Sequence, residues 1–291
     1  MYGVIKTLSI LTCHMPEFMR KALAFFIGRA GWLAVNRKRK RMSIDNVLQC
    51  GLAKNRDEAV KIVKESTYRF GPMLVEVMRF PILTEAEIDE KIEFEGMENF
   101  WSALGQGKGA VLATAHSGNW ELLGASLAYK KIPLVAVVRK QNNPGPDKFI
   151  NEYRRQAGMH ITYNSSIREM VRLLGAGMVI GLLMDQDAGP QGLWIDFFGR
   201  KASTPSGSAA LARMKGAPIV PTFIVTMPNG RHKVIVHEPI MMEKTNNREH
   251  DIIVTTEHLS KIIEEHIKQY PTDWFWLHNR WKNWPEHADK N

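Results

Sequence analysis

Between residues 108 and 238 the chain alternates short apolar runs with stretches of helical periodicity, and this excludes most folds. GAVLATAH, IPLVAVVRK and MVIGLLMDQD are apolar at consecutive rather than alternate positions. A strand covered on both faces needs that pattern. Between them lie NWELLGASLAYKK, KFINEYRRQAGMH and SSIREMVRLLGAG, with apolar residues three or four apart. Ser166 and Glu169 spell a capping box at the head of the last of these. TPSGSAALARMKG adds a helix with a proline near its first turn, and APIVPTFIVT, PNG and RHKVIVHEP read as strand, turn and strand. The alternation predicts an α/β fold with a central, mostly parallel sheet flanked by helices.

Residues 1–90 read differently. LAKNRDEAVKIVKESTYRFGPMLVEVMRF is helical by periodicity, with Asn55 or Asp57 as its cap, and TEAEIDEKI is a further helical piece. KIEFEGMENF reads as a short strand and turn. No Pro/Gly/Ser linker interrupts the chain, so a helical region (1–90) and an α/β core (91–291) are expected to form one continuous unit. The N-terminus is apolar but broken by Lys6, His14, Glu17, Arg20, Lys21 and Arg29, and no uncharged run reaches the roughly 18 residues a membrane span needs. From Phe18 onward, Ala22, Phe25, Phe26, Trp32 and Leu33 recur near helical spacing, and the basic run Arg37–Arg41 follows. Apolar helix plus polybasic segment is the pattern of a helix lying in a membrane interface. A net charge of +9 also calls for an anionic partner. No nucleic-acid recognition motif accompanies that charge. Two cysteines, Cys13 and Cys50, make no disulfide framework, which fits a reducing compartment.

TAHSGNWELLG puts a potential base and a carboxylate five positions apart, directly after an apolar strand. In a continuous helix that offset would turn the two side chains about 140° apart. Ser117, Gly118 and Asn119 are turn and cap residues, however, so His116 is expected at the strand's carboxyl end and Glu121 in the helix's first turn, folded back onto the imidazole. Ligands of open α/β sheets bind at such strand ends. A carboxylate on one ring nitrogen would fix the tautomer and make the other nitrogen a better base. Asp185 also ends an apolar strand and can approach the same crevice. Two other readings stand beside this one. His116 and Glu121 can be structural, with the glutamate favoured by the helix dipole, or they can belong to a zinc site, although the H-E-x-x-H spacing is missing.

HSGNWE, with its flanking strand and helix, resembles the H-x-x-x-x-(D/E) motif of glycerolipid-type acyltransferases and, more narrowly, of the lipid A late acyltransferases. MDQDAGPQGLWIDFFGRKASTPSGSAALARMKGAPIVP resembles that family's second signature. Arg154-Arg155 before Gly158 resembles its arginine-containing helix, and WFWLHNRWK resembles its W-x-H-x-R-(W/F)-K ending. The likeness runs over essentially the whole chain.

The resemblance implies a glycerol-3-phosphate-acyltransferase-like fold and an O-acyltransferase that needs no cofactor and no metal. It implies transfer of a fatty acyl chain from acyl carrier protein to a hydroxyl of a Kdo-bearing lipid A precursor, at the cytoplasmic face of the inner membrane. In that reading His116 is the general base, Glu121 orients it, and Asp185 and Arg155 complete the catalytic set. Arg154, Arg139, Asn119 and Ser117 are the expected substrate contacts. Lys140, Arg200, Lys201 and Arg213 are candidates for acceptor phosphates or acidic carrier-protein helices. The terminal tryptophans Trp274, Trp276, Trp281 and Trp284 fit either interface anchoring or packing, and packing is expected for at least two. The alternatives are another glycolipid acceptor with acyl-CoA as donor, as for phosphatidylinositol mannosides, a non-catalytic basic membrane-binding protein, and a metal-dependent hydrolase.

Overall fold

The computed structural model describes residues 1–139 and 143–282. Six helices come first: α1 (Tyr2–His14), α2 (Glu17–Ala34), α3 (Arg37–Gln49), α4 (Arg56–Tyr68), α5 (Phe70–Met78) and α6 (Glu85–Lys91). The α/β part then runs β1 (Ile92–Glu95), α7 (Met97–Gly105), β2 (Ala110–Thr114), α8 (Trp120–Tyr129), β3 (Leu134–Val138), α9 (Pro144–Gln156), β4 (His160–Tyr163), α10 (Ile167–Gly175) and β5 (Val179–Leu183). It continues through β6 (Leu193–Phe197), β7 (Arg200–Thr204), α11 (Gly207–Lys215), β8 (Ile219–Thr226), β9 (His232–Val236) and α12 (Arg248–Gln269).

Seven strands form one sheet in the order β1-β9-β8-β2-β5-β3-β4, parallel throughout except where β9 turns back on β8. This is the mostly parallel, helix-flanked α/β architecture that the apolar runs predict. Along β2, the fully buried Val111 and Ala113 face one apolar core with α10, α11 and α12, while Ala110 and Leu112 face another with α8 and α9. That double coverage is why these strands carry no polar alternation.

Several local expectations fail for identifiable reasons. The basic run Arg37–Arg41 forms the first turns of α3, which Asn36 caps by accepting the Arg39 N–H at 2.8 Å. KIEFEGMENF is a strand followed by the start of α7, because its turn, at Gly96, is also the helix N-cap. Asn55 caps α4 as expected. The capping box on α10 is absent. Ser166 makes no side-chain cap bond, and Glu169 instead accepts a hydrogen bond from Thr162 on β4. Two elements have no counterpart in the sequence reading. One is the edge strand β4, only four residues long. The other is the hairpin β6–β7, whose two-residue turn is Phe198-Gly199, both with positive φ. Such turns are usually announced by Asn-Gly or Asp-Gly, so Phe-Gly hides the signal.

The first two helices are packed inside out. α1 buries Ser9 and Thr12 and exposes Val4, Leu8 and Leu11; α2 buries Ala24 and Gly28 and exposes Phe18, Phe25, Phe26 and Leu33. The small buried residues let the backbones come close. A Cβ on Gly28 would lie 2.4 Å from the Tyr68 carbonyl, and one on Gly71 would lie 1.9 Å from the Ala24 carbonyl. Small residues at the contacts and large apolar residues facing away leave an uncovered apolar face on both helices. No helix among the described residues is long and apolar enough to cross a membrane.

Candidate active site

The strand register brings the two central groups together. Thr114 pairs with Leu183 across the parallel β2–β5 ladder. His116 and Asp185 each lie two residues beyond that pair, so adjacent strands deliver them at the same level, about 5 Å apart in the sheet direction. His116 Nδ1 and Asp185 Oδ1 are 2.8 Å apart. The second oxygen of Asp185 accepts the Trp274 indole N–H at 2.7 Å. Burial alone would push the Asp185 carboxyl up. The charge on His116 and hydrogen bonds from His116 and Trp274 outweigh it and hold the carboxyl below its usual value. With Nδ1 committed to the carboxylate, Nε2 is the nitrogen left to act on a substrate proton.

Glu121 does not orient His116, contrary to the expectation. It forms a two-pronged ion pair with Arg154, Nε–Oε2 2.9 Å and Nη2–Oε1 2.6 Å, and Asn151 accepts from Arg154 Nη1 at 2.9 Å. Helix geometry explains the difference. Trp120, at the start of α8, takes the direction toward His116, with ring centroids 5.0 Å apart and planes 71° to one another. Glu121 points about 100° further round the helix, onto α9. The turn that starts α8 requires Gly118: its φ is +59°, and a Cβ there would lie 2.3 Å from the Ile224 carbonyl.

The Glu121–Arg154 pair sits in the wall of an apolar cleft between the sheet and α8 and α9. Thr114, Trp120, Leu123, Gly124, Leu134, Val138 and Met159 complete much of its lining. Nearby, Asn119 caps α8 by accepting the Leu122 N–H at 3.0 Å and donates to Glu76 on α5 at 2.7 Å. Glu76 also holds His232 Nε2 at 2.9 Å. Burial opposes its ionised form, but the His232 and Asn119 hydrogen bonds keep its pKa lowered. Asn119→Ala removes a helix cap and one partner of Glu76. The expected loss is about 1 kcal/mol of stability, measurable in urea unfolding.

The remaining expected site residues scatter. Ser117 is not a cap: it is buried, and its hydroxyl lies 2.9 Å from Nε2 of His266, whose imidazole burial pushes down to about 3. Arg155 is exposed, about 100° round α9 from Arg154, and reaches only the Asn151 carbonyl, at 3.5 Å, so it joins no catalytic cluster. Arg139 is exposed just beyond β3, and Lys140 lies outside the described residues. Arg213 is tied to Asp251 at 2.7 Å and Arg200 to Asn46 at 3.3 Å, so both brace the fold, while Lys201 is exposed. Trp274, Trp276 and Trp281 are buried, as packing requires; Trp284 lies outside the described residues.

The sequence reading missed how the terminal WFWLHNR segment reaches the site. Phe275 N–H donates to the His116 carbonyl at 2.9 Å, and Gly118 N–H donates to the Asp273 carbonyl at 2.9 Å. His278 Nε2 accepts the Asp187 N–H at 3.1 Å. Arg280 is fully buried, donates to the Ser203 carbonyl and the Thr204 hydroxyl, and is pushed by burial down to about 10. Among the described residues no three His, Cys, Asp or Glu side chains gather as a metal site.

Comparison with known proteins gives the family. The family profile described as bacterial lipid A biosynthesis acyltransferase matches residues 3–283. The lipid A biosynthesis lauroyltransferase of Escherichia coli (strain K12) is 27% identical over 261 residues, covering 88% of this chain and 84% of that protein. The palmitoleoyltransferase of the same organism is 25% identical over 268 residues, 90% of this chain and 86% of that protein. A phosphatidylinositol mannoside acyltransferase of Mycolicibacterium smegmatis is 25% identical over 225 residues, 76% of this chain and 72% of that protein. A strand-end histidine held by a buried carboxylate beside an apolar cleft, in a chain matched by that profile almost end to end, makes this protein a member of the bacterial lipid A biosynthesis acyltransferase family and an O-acyltransferase.

Proposed function

We propose that the protein transfers a fatty acyl group from an acyl carrier protein thioester to a hydroxyl of a Kdo-bearing lipid A precursor at the cytoplasmic face of the inner membrane. The observation that carries this reading is the His116–Asp185 pair at the carboxyl end of β2 and β5, next to the apolar cleft. A thioester is already activated, but an alcohol is a weak nucleophile at neutral pH. His116 Nε2 takes the hydroxyl proton as the oxygen attacks the thioester carbonyl. Asp185 stabilises the imidazolium so formed. Collapse of the tetrahedral intermediate forms the ester and expels the thiolate, which takes the proton back from His116. The Trp120 and Glu121 N–H groups at the head of α8 are suited to hold the oxyanion, the Leu122 N–H being taken by Asn119. The cleft supplies apolar walls for the chain, with the Glu121–Arg154 pair neutralised inside it.

The test is an acylation assay by mass spectrometry, with carrier-protein thioesters of graded chain length and a Kdo-bearing lipid A precursor. Expected is a product heavier by one acyl group, formed regardless of chelator. Absence of product at every chain length defeats the reading, and loss of activity on chelation would favour a metal-dependent hydrolase. The comparable identity to phosphatidylinositol mannoside acyltransferases supports a second reading, with acyl-CoA as donor and another glycolipid as acceptor. The same assay with acyl-CoA and a phosphatidylinositol mannoside separates the two.

The membrane part of the proposal is supported by the exposed apolar faces of α1 and α2 and the exposed Arg37, Lys38, Arg39 and Arg41 beside them. In vesicle sedimentation the protein should bind anionic bilayers well above zwitterionic ones. Replacing those four residues with glutamine should cost about 1 kcal/mol of binding each, while His116→Ala should leave binding unchanged. A non-catalytic binder would show the same sedimentation and no acylated product.

A further inference from the structure

Three indoles of the terminal segment are buried, and they spend their N–H groups differently. Trp281 Nε1 has no hydrogen-bond partner among the described residues, and Trp276 Nε1 donates to the Pro271 carbonyl at 2.7 Å. Trp274 Nε1 donates to the catalytic carboxylate, Asp185 Oδ2, at 2.7 Å. Core packing therefore does not by itself demand a partner here. The backbone of this residue is also pinned from several sides. Ser66 on α4 donates to the Trp274 carbonyl, and Ser43 on α3 donates to the Trp276 carbonyl at 2.9 Å. Phe275 N–H holds the His116 carbonyl, and Gly118 N–H holds that of Asp273. Arg69 locks Asp273 in turn, at 2.6 Å. The indole ring packs against Trp276, centroids 4.5 Å apart at 84°. Its rotamer is thus set by packing that has no need of the carboxylate.

We propose that Trp274 is a positioning residue for the catalytic pair: by occupying one oxygen of Asp185 it fixes which oxygen meets His116 and how tightly the pair holds a proton. A carboxylate has four acceptor directions, and a neutral, sterically fixed donor on one oxygen leaves the other aligned with the imidazole. The other ionisable groups around Asp185 cannot take over this role. His266 on α12 is neutral and is bonded to Ser117; His278 is pushed down by burial and accepts from the Asp187 N–H; Arg280 is engaged by Ser203 and Thr204. Asp187, two residues along, is a second acid and brings no side-chain N–H donor.

The direction of the effect follows from the sign of the interaction. The indole N–H stabilises the ionised carboxylate. Without it the carboxylate is more basic and binds the proton shared with His116 more strongly, so the pair deprotonates at higher pH. Loss of one hydrogen bond to a charged group corresponds to about one pH unit.

This inference rests on His116 acting as the base, but its test does not depend on a known substrate. The test compares the wild type with Trp274→Phe and with a chain carrying 3-benzothienylalanine at 274, which keeps the shape and replaces the N–H by sulfur. Trp276→Phe is the control. The imidazole of His116 is titrated by nitrogen NMR on histidine-labelled protein, assigned by the signal lost in His116→Gln. In both Trp274 variants the midpoint should move to higher pH by about one unit, and the acidic limb of kcat/KM for acyl transfer should move with it, while Trp276→Phe leaves both in place. A benzothienylalanine chain that melts like the wild type and titrates where the wild type does overturns the proposal, as does an equal shift in Trp276→Phe. A wild type silent toward every thioester defeats the acyltransferase reading instead, and the titration still decides the role of Trp274.

Discussion

His116→Ala should lower kcat by about 10²- to 10⁴-fold with little change in melting temperature. A positioned general base contributes roughly that range, and the imidazole is partly exposed at the lip of the sheet, so its removal leaves no large cavity. Asp185→Asn should fall in the same direction but behave differently with pH. The amide keeps one hydrogen-bond acceptor and loses the charge that stabilises the imidazolium, so the acidic limb of the rate profile moves to lower pH while the plateau drops. The sign is fixed by the carboxylate: an anion beside His116 favours the protonated ring, and removing the anion lets the ring deprotonate earlier. Single-turnover rates across pH 5–9 check both effects. His116→Ala retaining more than about a tenth of the wild-type rate, well short of the range a general base supplies, would exclude His116 as the base.

Glu121→Ala should be costly in a different currency, folding stability. The carboxylate and the Arg154 guanidinium keep only 10% and 17% of their side-chain exposure, and they are joined by two hydrogen bonds. Taking away the acid strands a positive charge in an apolar wall, for about 3–5 kcal/mol. Removing both partners together, as Glu121→Leu with Arg154→Met, should restore most of that loss, because a buried ion pair replaced by apolar groups of similar size is often neutral. Urea unfolding of the two single variants and the double variant forms the cycle. A glutamate that merely oriented His116 would predict the reverse: unchanged stability in Glu121→Ala and a kcat loss matching that of Asp185→Asn. Strict additivity in the cycle would contradict the pairing seen between α8 and α9.

How much of this could be read before any coordinates depends on the range of the interaction. The α/β class was legible because double burial of β2, β3 and β5 removes polar residues from whole runs of sequence. Asn55 announces α4 because capping is a three-residue interaction. His116 stood out as a strand-end base for the same local reason. Asp185 is expected at the same crevice, but the orienting role is given to Glu121 instead. Residue 121 is close in sequence and residue 185 is 69 positions away, yet a parallel register can align distant strand ends more strictly than one helical turn can fold back. Arg154 and Arg155 show the limit at its sharpest. Adjacent in sequence and chemically alike, they differ only in the helical face they occupy, and that face is set by the packing of α9. The role of Trp274 leaves no local trace, since an indole that meets a carboxylate and one that meets only hydrocarbon look the same in a sequence.

The terminal strap also carries a consequence for how the enzyme comes into being. β8, which closes the central sheet around β2, ends at Thr226, and the site's histidine and aspartate have been synthesised long before that. The clamp from residues 273–280 emerges from the ribosome only afterwards. The His116–Asp185 pair therefore lacks its indole donor until the chain has grown past residue 274. The clamp closes only when residues 273–280 pack back across α3 and α4, whose contacting serines were made 233 and 208 residues earlier.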